Sequence, residues 1–319
     1  MSSYHIIHAK FSGLASAPDE VVHILQRHGK YHYSLVCGAS QKKLREHLLS
    51  ILRREPNMKF LIHFHNKFCP LPRIPNCQKV IQYHSEPKRA WINHNFARKL
   101  VLNQYHCTLP FYRSCEHIVR NTIDLKRICP NWKKPQFCKK GIKIVYIPSI
   151  LVRANEFHDK GYQETKPILE RIQRKFPKKV RLVILKKVPY NKSIQEKREA
   201  HIVIDECKTG SFHKTSIEGL SFGAIVFAKL SLALQEKHMH LYGRLPPIEN
   251  VGLDKLEDRL IEWVVKGKEA IEEEAIKRWE DFISYWSPQH VARDFDAIYE
   301  EVIACATPLP EDEPGAFDS

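Results

Sequence analysis

Short apolar runs recur along the whole chain, and stretches of helical length and spacing separate them. In the first part, residues 4–9, 31–37, 58–65, 79–84, 99–105 and 117–120 have the length of strands, and 19–28 and 41–54 have the spacing of helices. Several of the runs lack strict alternation, as strands buried on both faces do. After a Pro-, Lys- and Trp-containing stretch at 128–141, which reads as a linker, the pattern starts again. Strands are expected at 142–148, 180–185, 201–205 and 224–228. Helices are expected at 163–176, 191–199, from 216 and at 271–285, with a last one at 289–303 after Pro288. Strands alternating with helices predict an α/β protein built on parallel sheets. A length of 319 residues suits two such domains. The expected division is 1–138, 139–288, a terminal helix at 289–305 and a frayed acidic tail at 306–319.

Charge separates the two halves. Residues 1–138 hold 22 Lys/Arg against 7 Asp/Glu, and residues 139–319 hold 29 of each, so the whole net charge of +15 lies in the first half. This excludes an acidic disordered chain and gives the first half an anionic partner. The nine cysteines include no C-x-x-C pair, and Cys69/Cys77 and Cys107/Cys115 are spaced too loosely for a zinc knuckle. They read as reduced thiols in a cytoplasmic protein. No run approaches the roughly 18 apolar residues of a membrane span, and the first residues do not form a secretory leader.

The stretch 201–228, HIVIDECKTGSFHKTSIEGLSFGAIVFA, carries the most chemistry. A buried strand ends at Asp205, a polar glycine-containing loop follows, and a helix opens around Ile217-Glu218-Gly219. In a parallel sheet such a loop lies at the carboxyl edge, where backbone N–H groups and a helix N-terminus suit a phosphate. Lys208, Lys214, Ser211 and Thr215 add side-chain donors, and Glu218 can accept from ribose hydroxyls. The alternative is an ordinary Ser/Thr helix cap with a glutamate in the first turn.

The order of Asp205, Gly210, Glu218, Gly219, Gly223 and Val226 resembles the donor-binding region of retaining glycosyltransferases with the GT-B fold, of the family 4 kind. The segment 143–153, His158-Asp159-Lys160-Gly161 before a helix, and Tyr190-Asn191-Lys192 agree with it, so the resemblance spans about 140–230. The first half matches only in layout. The resemblance implies two Rossmann-like domains with a cleft between them and a C-terminal helix crossing back to the first domain. It implies a nucleotide-sugar co-substrate, a UDP-sugar first, with no metal or other cofactor. Glu218 would bind the ribose. Gly210, Ser211, Thr215 and Ser216 would face the diphosphate and sugar. Arg153 or Lys160, with Lys186 or Lys187, would neutralise the leaving diphosphate. Many members carry a glutamate where this chain has Gly210, so the sugar contacts must come from elsewhere.

The acceptor side falls to the first half. His84 and Glu86 follow one buried run and His65 and Asn66 another, and a histidine or carboxylate there can position or deprotonate an acceptor hydroxyl. His5 and His8 flank the first loop. Lys67, Arg73, Lys88 and Arg89 belong to a dispersed set of cations suited to tracking phosphates. The leading acceptor is DNA with hydroxymethylated pyrimidines, as for phage enzymes of this architecture, the base being flipped out to react. A lipid-linked or polysaccharide acceptor at an anionic membrane is the alternative, with the basic amphipathic helix at 41–54 in contact. A non-enzymatic nucleic-acid-binding α/β protein is the third reading.

Overall fold

The computed structural model describes residues 4–11, 17–69, 77–84, 96–131, 133–148 and 161–305. In chain order the elements are β1 (Tyr4–Lys10), α1 (Ala17–His28), β2 (His32–Cys37), α2 (Gln41–Leu52), β3 (Lys59–His65), β4 (Cys77–Tyr83), β5 (Arg98–Leu102), β6 (His117–Val119) and the short α3 (Leu125–Ile128). They continue with β7 (Ile142–Tyr146), α4 (Tyr162–Lys175), β8 (Val180–Ile184), α5 (Tyr190–Lys197), β9 (Ile202–Ile204), α6 (Lys214–Ser221) and β10 (Ile225–Ala228). The last are α7 (Leu232–Tyr242), β11 (Glu249–Asn250), α8 (Leu253–Lys266), α9 (Lys268–Trp286) and α10 (Pro288–Ala304). Two compact units result. Met1–Leu102, Phe111–Arg120 and Pro288–Ser319 make the first, and Asn103–Pro110 with Asn121–Ser287 the second.

The first unit holds a six-stranded parallel sheet in the order β2-β1-β3-β4-β5-β6. β1 and β3 lie inside it, which is why Ile6, Ile7, Phe60, Leu61, Ile62 and Phe64 form nearly unbroken apolar runs. α1 buries Val21, Val22, Ile24 and Leu25. α2 buries Leu44, Leu48 and Ile51, and the Lys43 amide donates to Ser40 Oγ at its start. α10 belongs to this unit, although more than 160 residues separate it from β6. Val291, Phe295, Ile298, Tyr299 and Val302 form its buried stripe. Asp296 accepts from the Tyr33 hydroxyl at 2.5 Å and the Lys30 amide at 3.2 Å, and Arg120 pairs with Asp294. Proline tolerates the first helical position and forces the residue before it to be extended, so α9 ends at Trp286 and α10 begins at Pro288, across an extended Ser287.

The second unit holds a five-stranded parallel sheet in the order β11-β10-β9-β7-β8. Its core joins Ile144, Tyr146, Ile202, Ile204 and Phe227 to Leu169 and Ile172 of α4 and Leu256, Leu260 and Val264 of α8. Besides the one-turn α3, two helices lack a counterpart in the expected pattern. α8 is amphipathic about Leu256, Leu260, Trp263 and Val264. α7 buries only Leu234 and His238 and exposes Leu232 and Met239, so its residues carry no helical stripe to find. α4 starts at Tyr162 and keeps Pro167 inside its second turn.

Each sheet has a point where the strand order reverses, next to β1 in the first and next to β7 in the second. Loops on either side of such a point part at the carboxyl edge, and ligands bind there. In the first sheet β3 ends there with His65-Asn66, and in the second β9 ends there with Asp205-Glu206. No helix among the described residues is long and apolar enough to cross a membrane.

Candidate functional site

The loop after β9 is held by two buried carboxylates. Asp205, fully buried, accepts from the His213 amide at 2.6 Å and from Ser216 Oγ at 2.7 Å. It thereby caps α6 from the strand end, a role no side chain at the helix's own N-cap takes. Glu206, also fully buried, accepts from the amides of Thr209 at 2.8 Å and Ser211 at 2.9 Å, with a longer contact to Lys208. Gly210 sits at φ +90°, and a Cβ there would lie 2.9 Å from Ser231 Cβ. Its carbonyl accepts from the Ser231 amide at 2.9 Å. Only glycine fits this conformation and this approach.

These bonds sort the expected donor-side residues. Ser211 and Ser216 are buried and hold the loop. His213, Lys214 and Thr215 are half-buried at the first turn of α6. The sequence reading places Glu218 in that first turn. Because α6 starts at Lys214, Glu218 falls one turn later, is 3% exposed and forms an ion pair with Lys197 of α5. Lys197 also donates to Ser193 Oγ at 3.0 Å. The exposed Lys186 places its ammonium 4.0 Å from the centre of the Tyr162 ring, and Lys214 lies 5.4 Å from that of Tyr190. Lys208 pairs with Glu164 at 2.7 Å. Lys187 adopts φ +49°, a left-handed conformation at the end of a strand, and Lys229 follows β10 exposed. The carboxyl edge of this sheet is therefore lined with lysine, within a half of the chain that has no net charge.

At the carboxyl edge of the first sheet, His65 and His84 are brought together, with His65 Nδ1 2.8 Å from His84 Nε2. Asn66, at φ 59°, accepts the His84 amide on Oδ1 at 2.5 Å, which fixes the turn out of β4. Lys67 is exposed beside it. His65 is fully buried, and burial holds its pKa well below the ordinary histidine value, helped by the neighbouring His63 and His84. Glu86, Arg73, Lys88, Arg89, Arg153 and Lys160 lie outside the described residues. The loop-holding role of Asp205 and Glu206, and the places of Lys197, Lys229 and Tyr299, emerge only from the fold. The adjacent acids at a strand end were a usable signal. Nothing in the sequence marks Lys197 or Tyr299.

No family model matches the sequence, and no curated protein matches it. Solved structures do. The chain is similar to a glycosyltransferase from Rickettsia africae ESF-5, with 12% identity over 95% of this chain and 99% of that one and a TM-score of 0.56. It is similar to the catalytic domain of starch synthase IV from Arabidopsis thaliana bound to ADP and acarbose, with 11% identity over 94% and 99% of the two chains and a TM-score of 0.56. A third is a mutant of S. aureus TarM in complex with fondaparinux, alpha-GlcNAc-glycerol and UDP, with 12% identity over 80% of this chain and 58% of that one and a TM-score of 0.51. The fold is GT-B. The two parallel sheets are the two Rossmann-like halves of that fold. Identities this low speak for architecture, and activity must be argued from the residues.

Proposed function

We propose that this chain is a glycosyltransferase. It takes a nucleoside-diphosphate sugar at the carboxyl edge of the second sheet, and the first unit presents a hydroxyl of an anionic acceptor. The observation that carries the proposal is the loop 205–216. Asp205 and Glu206 satisfy its inner amides, while Lys186 and Lys208 stand against Tyr162 and Glu164 at the start of α4, and Lys214 stands against Tyr190 at the start of α5. A leaving diphosphate gains negative charge as its bond to the sugar breaks, and fixed cations beside a helix N-terminus stabilise that charge. Arg153 and Lys160 join this set in the proposal. Gly210, Ser211 and Ser216 shape the loop, Thr215 offers a first-turn hydroxyl, and Glu218 keeps the ribose contact with Lys197 holding its carboxylate in place. UDP is the favoured nucleotide, and retention of configuration the favoured outcome.

On the acceptor side His84, with His65 behind it and Glu86 two residues on in the sequence, positions or deprotonates the hydroxyl, and Lys67, Arg73, Lys88 and Arg89 hold phosphates. The positive excess of residues 1–138 favours a polyanion, and DNA bearing hydroxymethylated pyrimidines is the first acceptor to test. One observation favours a membrane-bound acceptor instead. α2 exposes Leu49 at 43% next to Lys42 and Arg45.

Two measurements test the reading. A panel of nucleotide sugars should include one that raises the melting temperature, because a ligand of the folded state stabilises it. If none does, the enzyme proposal fails. A labelled sugar nucleotide is then incubated with hydroxymethylated DNA, unmodified DNA and anionic lipid vesicles. Label on the hydroxymethylated DNA alone is the expected result, and label on the vesicle fraction alone moves the acceptor to the membrane.

A further inference from the structure

Five side chains of the first unit form one hydrogen-bonded row. His84 Nε2 lies 2.8 Å from His65 Nδ1, and His65 Nε2 lies 3.0 Å from His8 Nδ1. His8 Nε2 lies 3.4 Å from the Tyr299 hydroxyl, which lies 2.7 Å from His63 Nδ1. Strand register builds the row. His8 and His63 are direct partners across β1 and β3, and His65 follows on the same face. Gln82 is the partner of His65 on β4, and His84 stands two residues beyond it. α10 supplies Tyr299. His8, His63, His65 and Tyr299 are all fully buried. Burial lowers His8 to about 3 and holds His63 and His65 well below the ordinary histidine value, so these rings are neutral near pH 7.

Nitrogens of His8, His63 and His65 lie within 4.8 Å of one another, close enough to raise the question of a metal. Ring orientation answers it. An imidazole lone pair lies in the ring plane, and the His63 and His65 rings are stacked, 8° from parallel with centroids 4.5 Å apart. Their lone pairs run side by side and do not converge on one ion. The facing nitrogens of His8 and His65 are at hydrogen-bond distance already.

A neutral imidazole has one N–H and one lone pair. Each ring-to-ring contact needs one of each, so a single choice propagates through His84, His65 and His8: all three are protonated at Nε2 or all at Nδ1, since a mixture sets two protons or two lone pairs face to face in a buried site. The Tyr299 hydroxyl can both donate and accept, so the directions of its two contacts link His63 to the other three. Tyr299 breaks the tie. An O–H donor makes the shorter kind of hydrogen bond, so the phenol donates along its 2.7 Å contact to His63 and accepts along its 3.4 Å contact to His8. This selects Nε2–H throughout.

We infer that this row sets the tautomer of His84, with the proton on Nε2 and Nδ1 as the basic nitrogen, and that His65, His8 and Tyr299 are positioning residues for it. The catalytic part of the inference rests on the proposed role of His84. In that role Nδ1, which is buried in the structure, must be uncovered on acceptor binding before it takes the proton of the acceptor hydroxyl. The freed oxygen pair forms the bond to the anomeric carbon, and the electrons of the broken carbon–oxygen bond leave with the diphosphate. The charge stays on His84, because the rings behind it are buried and hard to protonate.

The full-length chain labelled with 15N-histidine tests this through long-range 1H–15N spectra, which separate protonated from unprotonated ring nitrogens. His8, His63, His65 and His84 should all show Nε2 protonated. Nδ1–H as the main form at any of them overturns the inference. Tyr299→Phe should leave His84 as a mixture of tautomers, and an undisturbed Nε2–H signal at His84 overturns the coupling. Should Tyr299→Phe not fold, His65→Gln is read the same way. In a transfer assay Tyr299→Phe should lower kcat severalfold with the donor KM unmoved, and His84→Gln should abolish transfer. If the spectra are as expected but His84→Gln transfers sugar at the full rate, the catalytic reading of His84 fails and the row stands.

Discussion

Gly210 shows how one residue serves both the backbone and the loop chemistry. At φ +90° any side chain is strained, and a Cβ would press on Ser231. Gly210→Ala is expected to destabilise by about 1–3 kcal/mol, visible as a lower melting temperature. Gly243 is the control, because it also has a positive φ of +69° but nothing within 4 Å of an added Cβ. Gly243→Asn should therefore melt close to the parent. The buried pair Lys197–Glu218 has a different signature. Removing one partner strands the other charge in the interior, at a cost of about 3–5 kcal/mol. Lys197→Met and Glu218→Leu should each lower the melting temperature strongly, and the double variant less than their sum. Strict additivity would mean that the two side chains do not interact in solution.

At the scale of elements, α10 is the piece of sequence farthest from the sheet it covers. Phe295 is fully buried and lies 5.9 Å, ring to ring, from His63 of β3. Phe295→Ala is expected to cost about 3–5 kcal/mol. Hydrogen exchange should speed up for amides of β1 and β3 and stay unchanged for β7 and β9, because α10 belongs to the first unit. Equal acceleration in both sheets would contradict that division. Most strands and helices were legible from apolar spacing, since burial on both faces or on one stripe leaves its mark in the residue order. α7 was not legible because it buries too little to show a stripe. The start of α6 was misplaced by two residues because its cap, Asp205, comes from the preceding strand and not from the residues beside the helix.

At the scale of the whole molecule, histidine burial sets a pH dependence. Burial lowers His8 to about 3, His5 to about 4 and His201 to about 4, and holds His63 and His65 far below the usual value. Unfolded histidine binds a proton near pH 6.5, about the model-peptide value. Below that pH the unfolded chain therefore holds more protons than the folded one, and stability falls as the pH drops. The melting temperature should be flat between about pH 7 and 8 and decline steadily from about pH 6.5 to 5. A constant value over that window would mean that these rings are hydrated. The charge asymmetry predicts in turn that duplex DNA binding is salt-sensitive. With about six phosphates neutralised, affinity should fall on the order of a thousandfold between about 50 and 200 mM salt. A salt-independent affinity would remove DNA as the acceptor.

The residue order was enough to establish an α/β chain with two sheets, a polar glycine-containing loop after the strand that ends at Asp205 and a first half carrying all the net charge, because periodicity, loop composition and charge are local or additive properties. It also named His65 and His84 separately. Their contact, the row that runs behind them through His8, Tyr299 and His63, and the commitment of Glu218 to Lys197 appeared only on folding. Strand register and helix docking bring together residues up to 291 positions apart, and no local pattern encodes which of them will meet.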